Sequence, residues 1–170
     1  AKKSSAKAAF RRSREAMGAG TFVTFDNTAV GGRLGAAKVT LEWSNKLRTT
    51  AGMARLRTTR RPGCKPILTA SIEMSSKVVD DPHRLRTTLL HEMCHAAAWM
   101  IDGVSKPPHG KCFQKWAQIA MKHVRDIEVT TTHNFQISFK YAWSCTTSKC
   151  GCVIKRHSRS VDVIKHRCAR

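Results

Sequence analysis

The feature that constrains this chain most is a five-residue segment near its middle, HEMCH at positions 91–95, which fits the pattern HExxH. Asp81 is suited to cap a helix that begins at Pro82, and Gly103 is suited to end it. Between them, apolar residues recur at intervals of three and four, which predicts an amphipathic helix with one buried face. These apolar positions are Leu85, Leu89, Met93 and Ala96.

Two histidines four residues apart project from the same side of a helix. His91 and His95 can therefore offer two imidazole nitrogens to one metal ion, and Glu92 lies beside them as a candidate general base. A catalytic zinc takes three protein ligands, so a third ligand is required from outside this helix. His109 is the best candidate, because it lies in a proline-rich turn just before a second amphipathic stretch. Cys94 points away from the histidines and is expected to be a small buried residue.

The segments around this helix predict an α+β fold. Alternating apolar residues indicate one strand over 39–43 and another over 68–74, both ahead of the helix. The second amphipathic stretch follows the helix. Strands before a pair of helices are typical of a zincin-like metalloprotease core, in which the HExxH helix lies on a small sheet. The apolar positions of the second amphipathic stretch are Phe113, Trp116, Ala117, Ala120 and Val124.

The charge of the chain favours a polyanionic partner. The 170 residues include 31 Lys and Arg against 11 Asp and Glu, which gives a formal net charge of +20. Nucleic acid fits this charge better than a membrane does, because no long apolar run or lipidation signal is present. Residues 81–128 are nearly neutral, with 7 basic and 5 acidic side chains, whereas both flanks are strongly basic. This distribution suggests an enzyme held on a polyanion while it cleaves something else.

Three segments are expected along the chain. Residues 1–21 form a basic lead-in that is frayed or weakly helical, residues 22–128 form the metalloprotease subdomain, and residues 129–170 form a smaller subdomain. Within the second segment, the Arg-rich stretch from Arg48 to Lys65 is interpreted as a basic hairpin or loop and a candidate phosphate-contacting surface. The uneven spread of seven Cys, without a visible signal peptide, indicates a reducing compartment and metal ligation.

The last segment is predicted to be a zinc-ribbon-like β subdomain. Alternation from Phe135 to Trp143 predicts a long strand that leads into Cys145. Cys145, Cys150 and Cys168 have the spacing of two zinc knuckles, so a second, structural zinc is possible. The fourth ligand of a regular ribbon would fall just after Arg170, where this sequence stops. A substitute could come from Cys152, His157 or His166, and the alternative is a module without metal.

The same segment carries candidate DNA-binding residues. Tyr141 and Trp143 stand in a region with eight basic residues and one acid, together with Arg156 and Arg159. Aromatic faces mixed with cations are typical of surfaces that bind single-stranded nucleic acid. The alternative is that the two aromatic side chains fill a small core.

Several stretches of the chain together match one known family. They are 43–44, Leu47, 49–52, 89–96, 101–103, 109–110, Phe113 and 156–160. They resemble the SprT-like metalloprotease domain of the Spartan-type DNA–protein crosslink proteases, above all its germ-cell nuclear acidic branch. The resemblance implies a DNA-activated zinc endopeptidase in the nucleus, associated with chromosomes, that repairs DNA by digesting proteins crosslinked to it. It also implies that His91, His95 and His109 bind zinc and that Glu92 is the general base.

Two other classes of function are weighed against this one. The chain could be a DNA-binding module whose HExxH site is structural or inactive, but a structural zinc needs four protein ligands and only three candidates lie near the helix. It could also hydrolyse nucleic acid, but nuclease sites commonly use two metals held by several carboxylates. Near the helix only Glu92 and Asp102 are available, which argues against a nuclease.

Overall fold

A computed structural model describes residues 2–131, 137 and 139–168 of the chain. It contains helices and small sheets, so the α+β class predicted from the sequence is confirmed. The chain divides into two compact units, residues 1–133 and residues 134–170. No helix within the described part of the chain combines the length and apolar character that crossing a membrane requires.

Within its described residues, 2–131, the first unit contains four α-helices, one π-helical turn and three strands. The helical elements are α1 (Lys2–Phe25), the π-helical turn Asp26–Val30, α2 (Arg33–Ala36), α3 (Pro82–Met100) and α4 (Lys111–His123). The strands are β1 (Thr40–Ser44), β2 (Gly52–Thr59) and β3 (Ile67–Ser75). They form one sheet in the order β1-β3-β2, with β1 parallel and β2 antiparallel to β3.

One face of this sheet is apolar and the other is polar. Ile72 and Met74 on β3 are fully buried on the face that packs against α3, whereas Ser71 and Glu73, which alternate with them, are partly exposed on the opposite face. The strands predicted around residues 39–43 and 68–74 are therefore confirmed. The Arg-rich segment interpreted as a hairpin or loop supplies β2, which pairs with β3 as a hairpin.

Helix α3 begins and ends as its sequence predicts. The Asp81 side chain accepts a hydrogen bond from the Arg84 backbone N–H at 2.8 Å, and Pro82 occupies the first turn. Gly103, just beyond the helix, has a φ of +70°, a conformation that glycine adopts without strain. Helix α4 is confirmed as well, with Phe113 among its buried residues.

The N-terminal segment, which the sequence suggested to be frayed or weakly helical, is a 24-residue helix that packs against α3 and β1. Phe10 on α1 is only 5% exposed, and Lys7 Nζ forms an ion pair with Asp80 at 2.7 Å. The Arg14 guanidinium donates to the Ser76 carbonyl oxygen and lies 5.0 Å from the centre of the Trp43 ring. Apolar residues in this segment are too sparse to give a clear helical period, so tertiary contacts decide its structure. The expected boundary after residue 21 falls inside α1.

The second unit contains a two-stranded antiparallel sheet of β4 (Tyr141–Ser144) and β5 (Val153–Arg156). The predicted strand was longer. Phe135 lies outside the described residues, and the backbone at Ile137 and Phe139 is not in a strand. Among the described residues, β4 and β5 form four residue pairs, from Tyr141 opposite Arg156 to Ser144 opposite Val153.

Candidate metal and catalytic site

Three histidines converge at one point on the surface of α3. His91 and His95 lie one turn apart on α3, and His109 lies in the turn before α4. The His91 Nε2 atom is 3.1 Å from His95 Nε2 and 3.3 Å from His109 Nε2, and one nitrogen of each ring lies within 4.8 Å of the others. The sequence-predicted ligand set is therefore brought together by the fold.

The donor chemistry of this cluster fits a zinc ion. Nitrogens bound to tetrahedral zinc at 2.0–2.1 Å stand about 3.3 Å apart, which is close to the separations observed here. His91 Nδ1 is 2.9 Å from the Thr130 carbonyl oxygen. Because a carbonyl oxygen only accepts, the proton lies on Nδ1 and the lone pair on Nε2 points toward the other two rings. Three nitrogens this close can share one cation.

The aromatic ring of Phe113 and the backbone at Gly110 hold the histidines in place. The Phe113 side chain is 2% exposed, and its ring centre lies 4.9, 4.5 and 4.8 Å from those of His91, His95 and His109 respectively. The Gly110 N–H donates to the Pro107 carbonyl oxygen at 3.0 Å. A Cβ atom at Gly110 would lie 2.9 Å from Pro107 Cγ, so the tight turn that presents His109 requires glycine there.

Glu92 is buried next to the first histidine and is held by the edge strand of the sheet. Its side chain is 5% exposed, and Oε2 accepts a hydrogen bond from the Ala54 backbone N–H on β2 at 2.8 Å. Burial raises the pKa of Glu92 to about 7, and the Ala54 N–H partly opposes this rise because it stabilises the carboxylate. The carboxyl group can therefore both accept and return a proton near neutral pH.

Strand β2 reaches Glu92 because its first residue is glycine. A Cβ atom at Gly52 would lie 2.6 Å from Thr88 Cγ2 and 3.0 Å from Glu92 Cγ. Any larger residue would force β2 away from α3. Ala54, Phe113 and the Thr130 carbonyl were not predicted to belong to the site, although Phe113 was predicted to lie on the apolar face of the second amphipathic stretch. Gly52 was named only within a matched stretch. Backbone N–H and carbonyl groups do not depend on the type of side chain, so the sequence could not indicate the roles of Ala54 and Thr130. Gly52 and Phe113 could have been recognised from their residue types.

Cys94 lies inside the motif but outside the cluster of histidines. Its side chain is 3% exposed. Burial raises the pKa of the thiol to about 12, with a further contribution from Glu92, so the residue stays neutral. The expectation that it is a small buried residue is confirmed.

The second unit brings together three of its cysteines. The sulfur atoms of Cys145, Cys150 and Cys168 lie within 4.8 Å of one another, and the last two are 3.6 Å apart. Hydrogen bonds from the side chain and backbone of Thr147 lower the pKa of the Cys145 thiol to about 7, which favours a thiolate at neutral pH. The three residues considered as a fourth ligand fall outside this group: Cys152, His157 and His166.

The candidate DNA-binding residues are only partly clustered. Tyr141 and Trp143 are half-buried, and their rings stack with centres 5.8 Å apart. Arg156 is exposed and lies directly across from Tyr141 in the β4–β5 pair. Trp143 also lines a cavity of about 480 Å³. Arg159 is exposed beyond the end of β5.

The fold and this geometry define a class: an α+β protein with a three-histidine candidate metal site and a buried Glu on an HExxH helix. The family model described as SprT-like matches residues 20–133, which is more than half of the chain. The chain belongs to the SprT-like family. The family resemblance stated from the sequence is thereby confirmed.

Several curated proteins are similar to this chain. An HMG box-containing protein of Schizosaccharomyces pombe is 40% identical over 77% of the chain, and germ cell nuclear acidic proteins of Drosophila melanogaster and Homo sapiens are 38% and 35% identical over 76% and 78%. The chain spans 36%, 12% and 19% of the lengths of these three proteins. It therefore corresponds to about a third or less of each relative.

Proposed function

We propose that this chain is a DNA-dependent zinc endopeptidase that cleaves proteins crosslinked to DNA. The observation that carries the proposal is the convergence of His91, His95 and His109 beside the buried carboxyl group of Glu92. Three histidines with a neighbouring acid, in a chain of this family, fit a catalytic zinc site with one position left for water. The first unit is accordingly interpreted as a zincin-like core with a protease subdomain over 22–128.

Each residue of the site has a distinct task. The three imidazoles hold zinc, which when bound supplies a Lewis acid for peptide hydrolysis. Glu92 accepts a proton from the attacking water and returns it to the leaving amine. The Ala54 N–H fixes the orientation of the Glu92 carboxylate, and Phe113 fixes the three rings.

The dependence on DNA is supported by charge. The net charge of +20 gives the chain an affinity for polyanions that a general peptidase does not need. The zinc-ribbon-like DNA-binding subdomain is proposed over 129–170, a range that includes the second unit, and there Tyr141 and Trp143 with Arg156 and Arg159 would contact single-stranded DNA. The printed names of the relatives, which refer to an HMG box and to nuclear acidic proteins, support a nuclear, chromosome-associated role.

A second, structural zinc is proposed at Cys145, Cys150 and Cys168. The support is the approach of the three sulfur atoms to one another and the lowered pKa of the Cys145 thiol. Thiolates are the ligands that structural zinc prefers. A metal there would hold the end of the chain to the β4–β5 sheet.

The competing function is a DNA-binding module whose HExxH site is structural or inactive. A closed structural site needs a fourth protein ligand, and among the described residues the histidine cluster has three members. The orientation of Glu92 by Ala54 also has no purpose in a purely structural site, because the carboxylate is not a ligand there. These two observations favour the protease.

The decisive experiment measures cleavage of a basic protein that can bind DNA. The assay is run with and without DNA, and with and without a zinc chelator. Co-binding on one strand raises the local substrate concentration, so we expect cleavage to require DNA and to stop on chelation. Chelator-resistant cleavage would exclude the zinc mechanism. Equal rates with and without DNA, when DNA binding is confirmed, would exclude the DNA-dependent part of the proposal.

A further inference from the structure

A long stretch of the first unit contains no acidic residue. Between Glu42 and Glu73 the chain carries seven basic side chains and neither Asp nor Glu. Such segregation concentrates positive potential on one element. The seven residues are Lys46, Arg48, Arg55, Arg57, Arg60, Arg61 and Lys65.

The structure collects four of these cations at the end of the β2–β3 hairpin. We name this surface the basic hairpin tip and define it by Arg57, Arg60, Arg61 and Lys65, all of which are exposed. Pairing between the two strands continues to the last residues of β2 and the first of β3, and the Cys64 N–H donates to the Arg61 carbonyl oxygen in the connecting turn. The four cations are therefore carried by an ordered hairpin.

The four tip cations have no acidic partner among the described residues, whereas some other basic residues of the unit do. Arg55, closer to the core on the same strand, donates to Glu73 at 2.7 Å. Lys115 and Lys7 likewise pair with aspartates. Four like charges within nine residues repel one another, so they contribute nothing to the stability of the hairpin. A polyanionic ligand would relieve this repulsion.

The tip is connected to the catalytic site by the same strand. The Ala54 N–H binds Glu92, and Arg60 follows Ala54 by six residues, which corresponds to roughly 20 Å along the strand. A polyanion bound at the tip would hold an attached protein within reach of Glu92. Exposed threonine hydroxyls at Thr58 and Thr59 add neutral donors of the kind that contact phosphates.

We propose that the basic hairpin tip is a nucleic-acid contact on the catalytic unit itself, in addition to the surface proposed on the second unit. This inference rests on the proposed function and deepens it. The contact is to the phosphate backbone, so it carries no sequence preference and is sensitive to salt. Its role is to keep the DNA beside the active site while the crosslinked protein is cleaved.

The test compares double variants of the full chain that change the net charge by the same amount. Arg60→Glu with Arg61→Glu reverses two tip charges, and Lys122→Glu with Arg125→Glu reverses two exposed charges on and just after α4. Fluorescence anisotropy with a single-stranded oligonucleotide is recorded over a series of salt concentrations. For the tip variant we expect weaker binding and a log-log salt slope smaller by about 1.4, which is about 0.7 for each lost phosphate contact.

Further variants and controls keep the inference testable. Arg60→Lys with Arg61→Lys retains the charge and should keep the salt slope, while zinc content and circular dichroism establish that each variant is folded. If the glutamate pair does not fold, Arg60→Gln with Arg61→Gln replaces it, with the same expected direction. Tip and control variants that bind DNA equally well would overturn the inference. Binding of each variant to poly-glutamate is measured as well. If the tip variant loses binding to poly-glutamate but keeps its binding to DNA, the inference is also overturned and the surface is assigned to an acidic peptide.

Failure of this inference is distinguishable from failure of the proposed function. If a DNA-tethered protein is cleaved equally by the tip variant and the unaltered chain, the protease function stands and the tip inference is wrong. If the tip variant loses DNA binding but even the unaltered chain cleaves no protein, the nucleic-acid contact stands and the protease function is wrong.

Discussion

At the scale of single residues, Glu92 and His109 are predicted to have separable tasks. Glu92→Gln should retain zinc and lose proteolysis by a factor on the order of 100 to 10,000, because a proton acceptor is removed without removing a ligand. His109→Ala should lower the zinc content itself. Metal analysis and a cleavage assay on the same samples separate the two effects. Full activity of Glu92→Gln would contradict the mechanism, and unchanged zinc in His109→Ala would assign the third ligand to another residue.

Gly52 is predicted to act through the position of β2. In Gly52→Ala the new Cβ would lie 2.6 Å from Thr88 Cγ2, so the strand must move and the Ala54 N–H no longer reaches Glu92. Displacement of a catalytic group by about 1 Å can cost on the order of 100-fold in rate. We expect kcat to fall by about that factor with the zinc content unchanged.

A compensating substitution tests this steric cause. Thr88→Ser removes the Cγ2 atom that Gly52→Ala meets and keeps the hydroxyl group. The double variant should therefore recover part of the lost kcat, while Thr88→Ser alone should stay close to the unaltered chain. No recovery in a folded double variant would mean that Gly52 acts in some way other than close approach to α3.

At the scale of elements, Asp102 connects the end of α3 to α4 by hydrogen bonds. Its carboxylate accepts hydrogen bonds from Lys115 Nζ at 2.6 Å and from Trp116 Nε1 at 2.7 Å. Burial opposes ionisation of Asp102, but these hydrogen bonds outweigh it and hold the pKa below its usual value of 3.8. The turn that presents His109 lies between the two elements joined in this way.

The lowered pKa of Asp102 gives a pH dependence with a definite sign. Because the folded-state pKa is below the unfolded one, the stabilisation is complete above about pH 4 and is lost as pH falls through the folded-state value. Asp102→Asn should lower the free energy of unfolding by about 2 kcal/mol at pH 7, and the difference should shrink in acid. Denaturant titrations at pH 7 and pH 3 measure it. A difference that grows toward low pH would contradict this assignment.

At the scale of the whole molecule, the second unit is predicted to bind DNA while the first performs the chemistry. Changing Arg156 and Arg159 to Glu should weaken single-stranded DNA binding and lower the salt slope by about 1.4, because two phosphate contacts are lost. DNA-stimulated proteolysis should fall with it, and zinc at the histidine cluster should stay. Binding assays, cleavage assays and metal analysis on one preparation of the double variant measure these three effects. If the affinity for DNA and the salt slope are unchanged in a folded variant, the main DNA-binding surface lies outside this unit.

The sequence alone determined the elements whose signals are local. The cap at Asp81, the apolar period of α3 and α4, and the alternation in β1 and β3 each lie within one segment, so the α+β class and the HExxH helix could be predicted. The choice of His109 as the third candidate ligand also followed from its place in a turn between two helices. In the second unit the local pattern was misleading. The alternation predicted a strand longer than the four residues of β4 that pair with β5.

Only the tertiary structure decided the contacts that join distant segments. The packing of α1 depends on Phe10 and on the ion pair of Lys7 with Asp80, 73 positions away, and no apolar period in the segment predicts these contacts. The orientation of Glu92 depends on the backbone N–H of Ala54, and the proton position on His91 depends on the backbone carbonyl of Thr130. Every residue except proline has an N–H and every residue has a carbonyl, so the fold alone selects which of them reach the site.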